Sequence, residues 1–260
     1  MPRSDWTFLD HEGVLAFSHR GGASDQPENT LSAFAHAVSL GYRYVETDVH
    51  VTSDGVLVAF HDDVLDRVTD RTGVISELPW STVREAKVDG REPIPRFDEL
   101  LASWPDLRVN IDPKHDGAVD ALAEAIKRAD AIERVCIGAF SDERLERVRG
   151  LLPGVCTSLG PFGIMNLGLA TIGQYDDELP SPCAQVPTHF GKDEIVTPAF
   201  LDEAHRRGMQ VHVWTIDDAD EMRRLLDLGV DGLMTDRNEV LKDVLVKRGD
   251  WHGPSGPQSG

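Results

Sequence analysis

Two acidic residues two positions apart are the first candidates for chemistry: Glu46 and Asp48 lie within the apolar run YVETDVHV at 44–51. Alternation along a strand places both side chains on one face. Facing outward against helices, two carboxylates would be costly to bury, whereas facing inward at an open rim they would share a cation. Asp112, at the end of a later apolar run, would complete the set. Three carboxylates favour one hard divalent cation, Mg²⁺ or Ca²⁺ with Mn²⁺ possible, over zinc.

Basic residues follow the same apolar runs. His19 and His61 each stand at the end of an apolar run. Because histidine titrates near neutrality, the pair is suited to take one proton and donate another. Arg20 and Lys114 would hold an anionic group, Arg20 by paired hydrogen bonds and Lys114 as a point charge. Any one of these residues alone would more often be a structural rim residue, but together at strand ends they favour a site. Trp214 also ends a strand and would form an apolar wall, although core packing explains its position equally well.

The elements that position these residues alternate along the chain. Apolar runs and amphipathic helical stretches make eight strand–helix units, which predicts a parallel sheet. With 260 residues, the chain fits one closed (β/α)8 barrel, a TIM barrel, whose strand ends share a rim. We assign the barrel to residues 1–250, with a small irregular insertion at 62–95 after the second strand. The tail at 251–260 is rich in Gly, Pro and Ser and is predicted to be disordered.

The formal net charge of −19 argues against nucleic acid and anionic lipid surfaces as partners. An anionic small molecule would therefore need local positive charge. The three cysteines, Cys136, Cys156 and Cys183, form no short-spaced pair and are expected to be small apolar core residues. We see no signal peptide and no apolar run of membrane-spanning length, so the expected location is cytoplasmic, without stable membrane anchoring. The oligomeric state stays open.

Ordered motifs give the chain a family resemblance. From about residue 15 to 245 it resembles the glycerophosphodiester phosphodiesterases. The motifs are HRGG at 19–22, PENT at 27–30, ETD at 46–48, FHDD at 60–63, NIDPK at 110–114, QVP at 185–187, AHRRG at 204–208, VHVWTID at 211–217 and GVDGLMTD at 229–236. The family usually has glutamate where this chain has Asp112, one methylene shorter, which leaves the geometry of that ligand open.

The resemblance implies a TIM barrel with an insertion after the second strand. It also implies that Glu46, Asp48 and Asp112 bind the metal. It implies that His19 and His61 are the acid–base pair and that Arg20 and Lys114 lie near the phosphate. The expected activity is metal-dependent hydrolysis of small-molecule glycerophosphodiesters to an alcohol and sn-glycerol 3-phosphate. Two alternatives stay open: a phospholipase D-like lyase that forms a cyclic phosphate from lysophospholipids, and a non-catalytic barrel that binds a phosphorylated ligand.

Overall fold

Eight parallel strands form the centre of the molecule. The structure is a computed structural model that describes residues 6–252. The strands follow in chain order: β1 Leu15–His19, β2 Tyr44–Val51, β3 Arg108–Pro113, β4 Val135–Ile137, β5 Cys156–Thr157, β6 Cys183–Val186, β7 Gln210–Val213 and β8 Gly232–Thr235. They hydrogen-bond in the order β5-β4-β3-β2-β1-β8-β7-β6, and a parallel bridge between Ser158 and Cys183 joins the two ends. The predicted (β/α)8 barrel is confirmed.

One helix follows each strand and packs its apolar face on the outside of the barrel. The helices are α1 Leu31–Leu40, α2 Phe97–Ser103, α3 Ala118–Arg128, α4 Asp142–Leu151, α5 Pro161–Ala170, α6 Pro198–Arg206, α7 Ala219–Leu228 and α8 Asn238–Arg248. Side-chain caps begin α1, α4, α6 and α7, as where Thr30 Oγ1 accepts from the backbone N–H of Ala33 at 3.2 Å. Three of them, α1, α7 and α8, end at a left-handed glycine.

The insertion after β2 has a core of its own. Strand Leu57–Ala59 turns back antiparallel onto β2, and the chain then forms a 3₁₀ helix at Ile75–Glu77, a short helix at Trp80–Val83 and a hairpin of Lys87–Val88 with Glu92–Pro93. Buried apolar side chains hold it together, and they are Val58, Phe60, Leu65, Ile75, Val83, Ala86, Val88 and Ile94. The stretch that is irregular in sequence is therefore a compact lobe, and its first strand belongs to the barrel sheet.

A 3₁₀ helix at Thr7–Leu9 closes the end of the barrel opposite the strand C-termini. Phe8 and Leu9 pack with Phe17 and Tyr44 from the strands, and the Tyr44 hydroxyl donates to the carbonyl of Phe8 at 2.9 Å. The three cysteines lie in the same apolar cluster, free and fully buried, as expected for small core residues. The barrel is therefore open at one end only.

Strand β5 and helix α5 differ in extent from the sequence prediction, and one hairpin was not predicted. Strand β5 spans Cys156–Thr157 rather than the five-residue apolar run at 155–159, and α5 begins at Pro161 because proline suits a first helical turn. A small hairpin of His189–Phe190 with Asp193–Glu194 was not predicted from the sequence.

The first residue of the predicted tail is packed. The Trp251 ring packs against Tyr42 with the ring centroids 5.1 Å apart, so residue 251 belongs to the packed barrel. Residues 253–260 lie outside the described residues.

Gly21 and Gly22 follow β1 with left-handed backbone, φ 86° and 96°. A Cβ on Gly22 would lie 2.2 Å from Asn238 Nδ2, which donates to the carbonyl of Gly21 at 3.1 Å. The contacts of these glycines indicate a tight turn between β1 and the segment that leads to α1. We expect Gly22→Ala to lower the free energy of unfolding by about 1–3 kcal/mol, measured by urea denaturation. Gly229→Ala is the matched control because Gly229 also has positive φ but no atom near its Cβ. An equal loss in both variants would contradict the proposed clash.

Candidate active site

The open end of the barrel holds one large cavity of about 1120 Å³. All eight side chains predicted from sequence as site residues line it, and they are His19, Arg20, Glu46, Asp48, His61, Asp112, Lys114 and Trp214. The first seven come from the ends of β1 to β3 and from the start of the insertion. The position agrees with the rule that barrel sites form at the carboxyl ends of strands.

Strand register explains why the polar residues meet. β1 pairs with β2 so that His19 lies beside Glu46, and β2 pairs with β3 so that Asp48 lies beside Asp112. Since side chains alternate along a strand, Glu46 and Asp48 point the same way into the mouth. Both are buried, at 5% and 2% exposure. The same-face prediction from their spacing therefore agrees with the structure.

His19 lies between two carboxylates. Its Nδ1 is 2.6 Å from Asp236 Oδ1 and its Nε2 is 3.6 Å from Glu46 Oε2. Asp236 is held in turn, because its backbone N–H donates to Asp217 Oδ1 at 2.8 Å. Burial lowers the pKa of His19, but the charge of Glu46 and the hydrogen bond and charge of Asp236 together raise it above its ordinary value. Asp236 thus fixes the ring orientation and leaves Nε2 toward the cavity.

His61 has a carboxylate partner of its own. Its Nδ1 is 2.5 Å from Asp62 Oδ1, and the ring of buried His50 donates from Nε2 to the carbonyl of His61 at 3.0 Å. Arg67, in the insertion, donates to Asp62 at 2.6 Å and to Glu28 at 2.7 Å, and its hydrogen bond holds the pKa of Asp62 down to about 2. The insertion therefore positions the second histidine.

Basic side chains contact the predicted metal ligands directly. Lys114 Nζ lies 2.7 Å from Asp48 Oδ1 and 2.8 Å from Asp112 Oδ2. Arg20 Nε lies 3.2 Å from Asp48 Oδ2 without an aligned hydrogen bond. Burial raises the pKa of Asp48, but the Lys114 and Arg20 charges outweigh it and the pKa is lowered. For Asp112 burial prevails over Lys114 and the pKa is raised. These cations supply the local positive charge that the acidic chain requires.

The ligand atoms of Glu46, Asp48 and Asp112 do not all lie within 4.8 Å of one another. Within residues 6–252, the only three His, Cys, Asp or Glu side chains with ligand atoms all within 4.8 Å of one another are Cys136, Cys156 and Cys183. Those thiols are fully buried in the apolar cluster at the closed end. The Lys114 ammonium lies between Asp48 and Asp112, and Glu46 lies beside His19.

The donor chemistry of the mouth nonetheless fits a hard cation. Asp112 Oδ1 is buried without a hydrogen-bond partner. Burial and the neighbouring Asp48 charge raise the pKa of Glu46. The positive charges nearby therefore do not fully balance the negative charge of the Glu46 carboxylate. Oxygen donors from three carboxylates match the preference of Mg²⁺ and Ca²⁺. The assignment of Glu46, Asp48 and Asp112 to a metal stays a proposal.

Sequence reasoning missed several residues of this site. Asn29 has left-handed backbone and donates from Nδ2 to Asp48 Oδ2 at 3.0 Å. Gln185 donates to Asn110 Oδ1 at 2.8 Å, and both line the cavity. Asp236 follows the end of β8, so the same strand-end criterion that selected His19 would have found it.

Asp236 provides a test of histidine positioning. We expect Asp236→Asn to lower kcat by about 100-fold or more with little change in KM, because an amide keeps the shape but stabilises the wrong tautomer of His19. Steady-state kinetics would show the split. Asp218→Asn is the control, since Asp218 caps α7 and does not line the cavity. A change confined to KM would contradict the positioning role.

Comparison with known proteins identifies the family of the chain. The model of the glycerophosphoryl diester phosphodiesterase family matches residues 19–240. A probable glycerophosphodiester phosphodiesterase 2 of Mycobacterium tuberculosis is 39% identical over 259 residues, covering 95% of this chain and 96% of that protein.

Solved structures share the fold. A crystal structure of a putative glycerophosphoryl diester phosphodiesterase from Silicibacter pomeroyi superposes with a TM-score of 0.80 at 23% identity and covers 94% of this chain and 98% of the other. An Oleispira antarctica phosphodiesterase in complex with its product sn-glycerol-3-phosphate has a TM-score of 0.74 at 20% identity and covers 90% and 97%.

The fold and the matched proteins define a TIM-barrel phosphoric diester hydrolase. The chain belongs to the glycerophosphoryl diester phosphodiesterase family. None of the helices in the described part, residues 6–252, combines the length and apolar character that crossing a bilayer requires.

Proposed function

We propose that this enzyme hydrolyses glycerophosphodiesters to an alcohol and sn-glycerol 3-phosphate, with His19 and His61 as the acid–base pair and one divalent cation bound at Glu46, Asp48 and Asp112. The observation that carries the proposal is His19, fixed by Asp236 at 2.6 Å with its other nitrogen beside Glu46 in the mouth. A histidine held in one tautomer beside a cationic pocket is suited to proton transfer during attack on phosphorus.

The phosphate would lie against Arg20 and Lys114. Both are already held by carboxylates, Arg20 by Glu28 at 3.2 Å and Lys114 by Asp48 at 2.7 Å, so the substrate meets ordered donors. Trp214 lines the same cavity and would contact the glycerol or the alcohol. When bound, the cation, Mg²⁺, Ca²⁺ or Mn²⁺, would neutralise charge on the phosphate oxygens.

The reaction needs one proton removed and one supplied. The attacking oxygen, from water or from the neighbouring glycerol hydroxyl through a cyclic phosphate, bonds to phosphorus and gives its proton to one histidine. The bond from phosphorus to the departing alcohol breaks, and that oxygen takes a proton from the other histidine.

The three free cysteines suit the reducing cytoplasm that we propose as the location.

A coupled assay for glycerol 3-phosphate tests the function. Glycerophosphocholine, glycerophosphoethanolamine and glycerophosphoglycerol would each be offered with Mg²⁺, Ca²⁺ or Mn²⁺. We expect release of glycerol 3-phosphate from at least one pair. A stable cyclic phosphate as the end product would favour the lyase alternative, and binding without turnover under every metal would favour the non-catalytic barrel.

A further inference from the structure

All three cysteines of the chain meet inside the barrel. Cys136 lies on β4, Cys156 on β5 and Cys183 on β6, and all three side chains are buried. Their Sγ atoms lie within 4.8 Å of one another, closer than any other set of three His, Cys, Asp or Glu side chains in residues 6–252. The proposed hydrolysis uses none of these thiols.

Strand register places the thiols in one layer of the barrel interior. Cys136 pairs with Cys156 across β4 and β5, and Cys183 is joined to the end of β5 by its bridge to Ser158. Side chains two positions apart on a strand share a face, so each thiol faces the same way as the residue two positions later. Those later residues all line the cavity, and they are Gly138, Ser158 and Gln185. The thiols therefore lie in the layer beneath the floor of the active-site cavity.

The spacing of the sulfurs matches a small ion. Three atoms that lie no more than 4.8 Å apart have a central point within about 2.8 Å of each, and a metal–thiolate bond of about 2.3 Å then needs each sulfur to move by only about 0.5 Å. Small rotations of three side chains supply such a movement. The sulfurs therefore need no rearrangement of the strands to share one ion.

The donors around this layer are soft. The apolar cluster that contains the three thiols also contains the thioether of Met234. Thiolate and thioether sulfur select Cu(I) or Zn²⁺ over the hard cations Mg²⁺ and Ca²⁺. The thiols therefore differ in chemical preference from the carboxylates of the mouth.

The number of ligands favours Cu(I) over Zn²⁺. Structural zinc sites take four protein ligands, whereas Cu(I) is satisfied by three. Within residues 6–252, no carboxylate or imidazole lies within 4.8 Å of all three thiols. The nitrogens of buried His212 on β7 are engaged elsewhere, at 3.3 Å from Gln185 Nε2 and 3.1 Å from Gln210 Oε1.

We propose that Cys136, Cys156 and Cys183 bind one Cu(I) ion in a three-sulfur site beneath the active-site floor. On binding, the S–H bonds break, three Cu–S bonds form, the protons pass to solvent and no electron is transferred. A singly charged ion enters the apolar layer at a lower desolvation cost than a divalent one. The ion enters from the mouth beside Gly138, which carries no side chain above the thiols.

The stoichiometry and ligand count of the wild-type protein test the site. The reduced protein would be titrated with Cu(I) against bicinchoninate under argon, and the copper ligands counted by X-ray absorption. Because the chain has three cysteines in all, every copper–thiolate bond reports this cluster. We expect one tightly held equivalent with three sulfur ligands. Fewer than three sulfurs, or retention of Zn²⁺ but not of Cu(I), would overturn the assignment.

Variants separate ligation from core packing. Loss of a residue that only supports a metal ligand costs 10- to 100-fold in metal affinity, so Cys156→Ala and Cys183→Ala should each lower Cu(I) affinity by at least about 100-fold. Ile137→Val is the matched control, since Ile137 follows Cys136 on β4 and is buried in the outer core cluster. It removes core volume but no thiol and should keep the wild-type affinity. An equal loss in Ile137→Val would show that packing, not ligation, sets the affinity.

Thermal melting shows whether the thiol site is distinct from the carboxylates of the mouth. Cu(I) at about 100 times its Kd should raise the Tm of the wild type by about 5 °C or more, and excess Mg²⁺ should not reverse the rise. Glu46→Gln should keep this response to Cu(I), whereas Cys183→Ala should lose it. A Cu(I) response that disappears in Glu46→Gln would place the copper at the mouth and overturn the proposal, whatever the outcome for glycerophosphodiester hydrolysis.

Discussion

His19→Ala and His61→Ala should each lower kcat for glycerol 3-phosphate release by about 100- to 10,000-fold, the usual contribution of a general acid or base. The reason is geometric. Each imidazole has its Nδ1 held by a carboxylate, Asp236 for His19 and Asp62 for His61, and alanine leaves no group that can move a proton at either place. Purified variants would be compared in the coupled assay at saturating substrate.

The control for the histidine variants is His36→Ala. His36 lies on α1, outside the barrel mouth, and does not line the cavity. Thermal melting should show all three variants folded, because neither the His19 ring nor the His61 ring is part of an apolar core cluster. Full turnover in either His19→Ala or His61→Ala would contradict the role assigned to that residue.

The barrel was predictable because its signals are local. Runs such as VHV at 211–213 are fully buried, as expected for a strand covered on both faces, and the strand-end rule then places His19, Glu46 and Asp112 at one rim. The register that sets His19 beside Glu46 depends on β1 and β2 being neighbours in the sheet, which the eight alternating units imply. The predicted polar residues accordingly line one cavity.

Partners distant in the chain were not predictable in the same way. Asp236 meets His19 from 217 residues away, and Arg67 reaches Glu28 from 39 residues away, and neither pairing leaves a periodic signal. The position of the Lys114 ammonium between Asp48 and Asp112 depends on side-chain rotamers, which strand alternation does not specify. Phe190 projects from a hairpin whose strands have two residues each, too short to give an alternating pattern.

Chelation with EDTA should abolish turnover, and Mg²⁺, Ca²⁺ or Mn²⁺ should restore it, because the charge at the mouth is incompletely compensated. Glu46 is buried beside Asp48, which raises its pKa, and Asp112 has an unpartnered buried oxygen. A cation at about 100 times its Kd would stabilise the fold by about 2.7 kcal/mol, which thermal melting would detect without reference to activity.

Glu46→Gln separates metal binding from folding because the two effects have opposite signs. Without metal, the neutral amide removes repulsion against Asp48, so we expect the variant to melt no lower than the wild type. With Mg²⁺, it should lose most of the metal-induced rise in Tm and at least about tenfold in apparent metal affinity.

Asp231→Asn is the matched control. Asp231 is 3% exposed, but its carboxylate contacts His205 at 2.8 Å and accepts from the Val211 N–H at 2.7 Å, at the closed end of the barrel. That variant should melt lower yet keep its full response to Mg²⁺, whereas an unchanged response in Glu46→Gln would exclude Glu46 as a ligand.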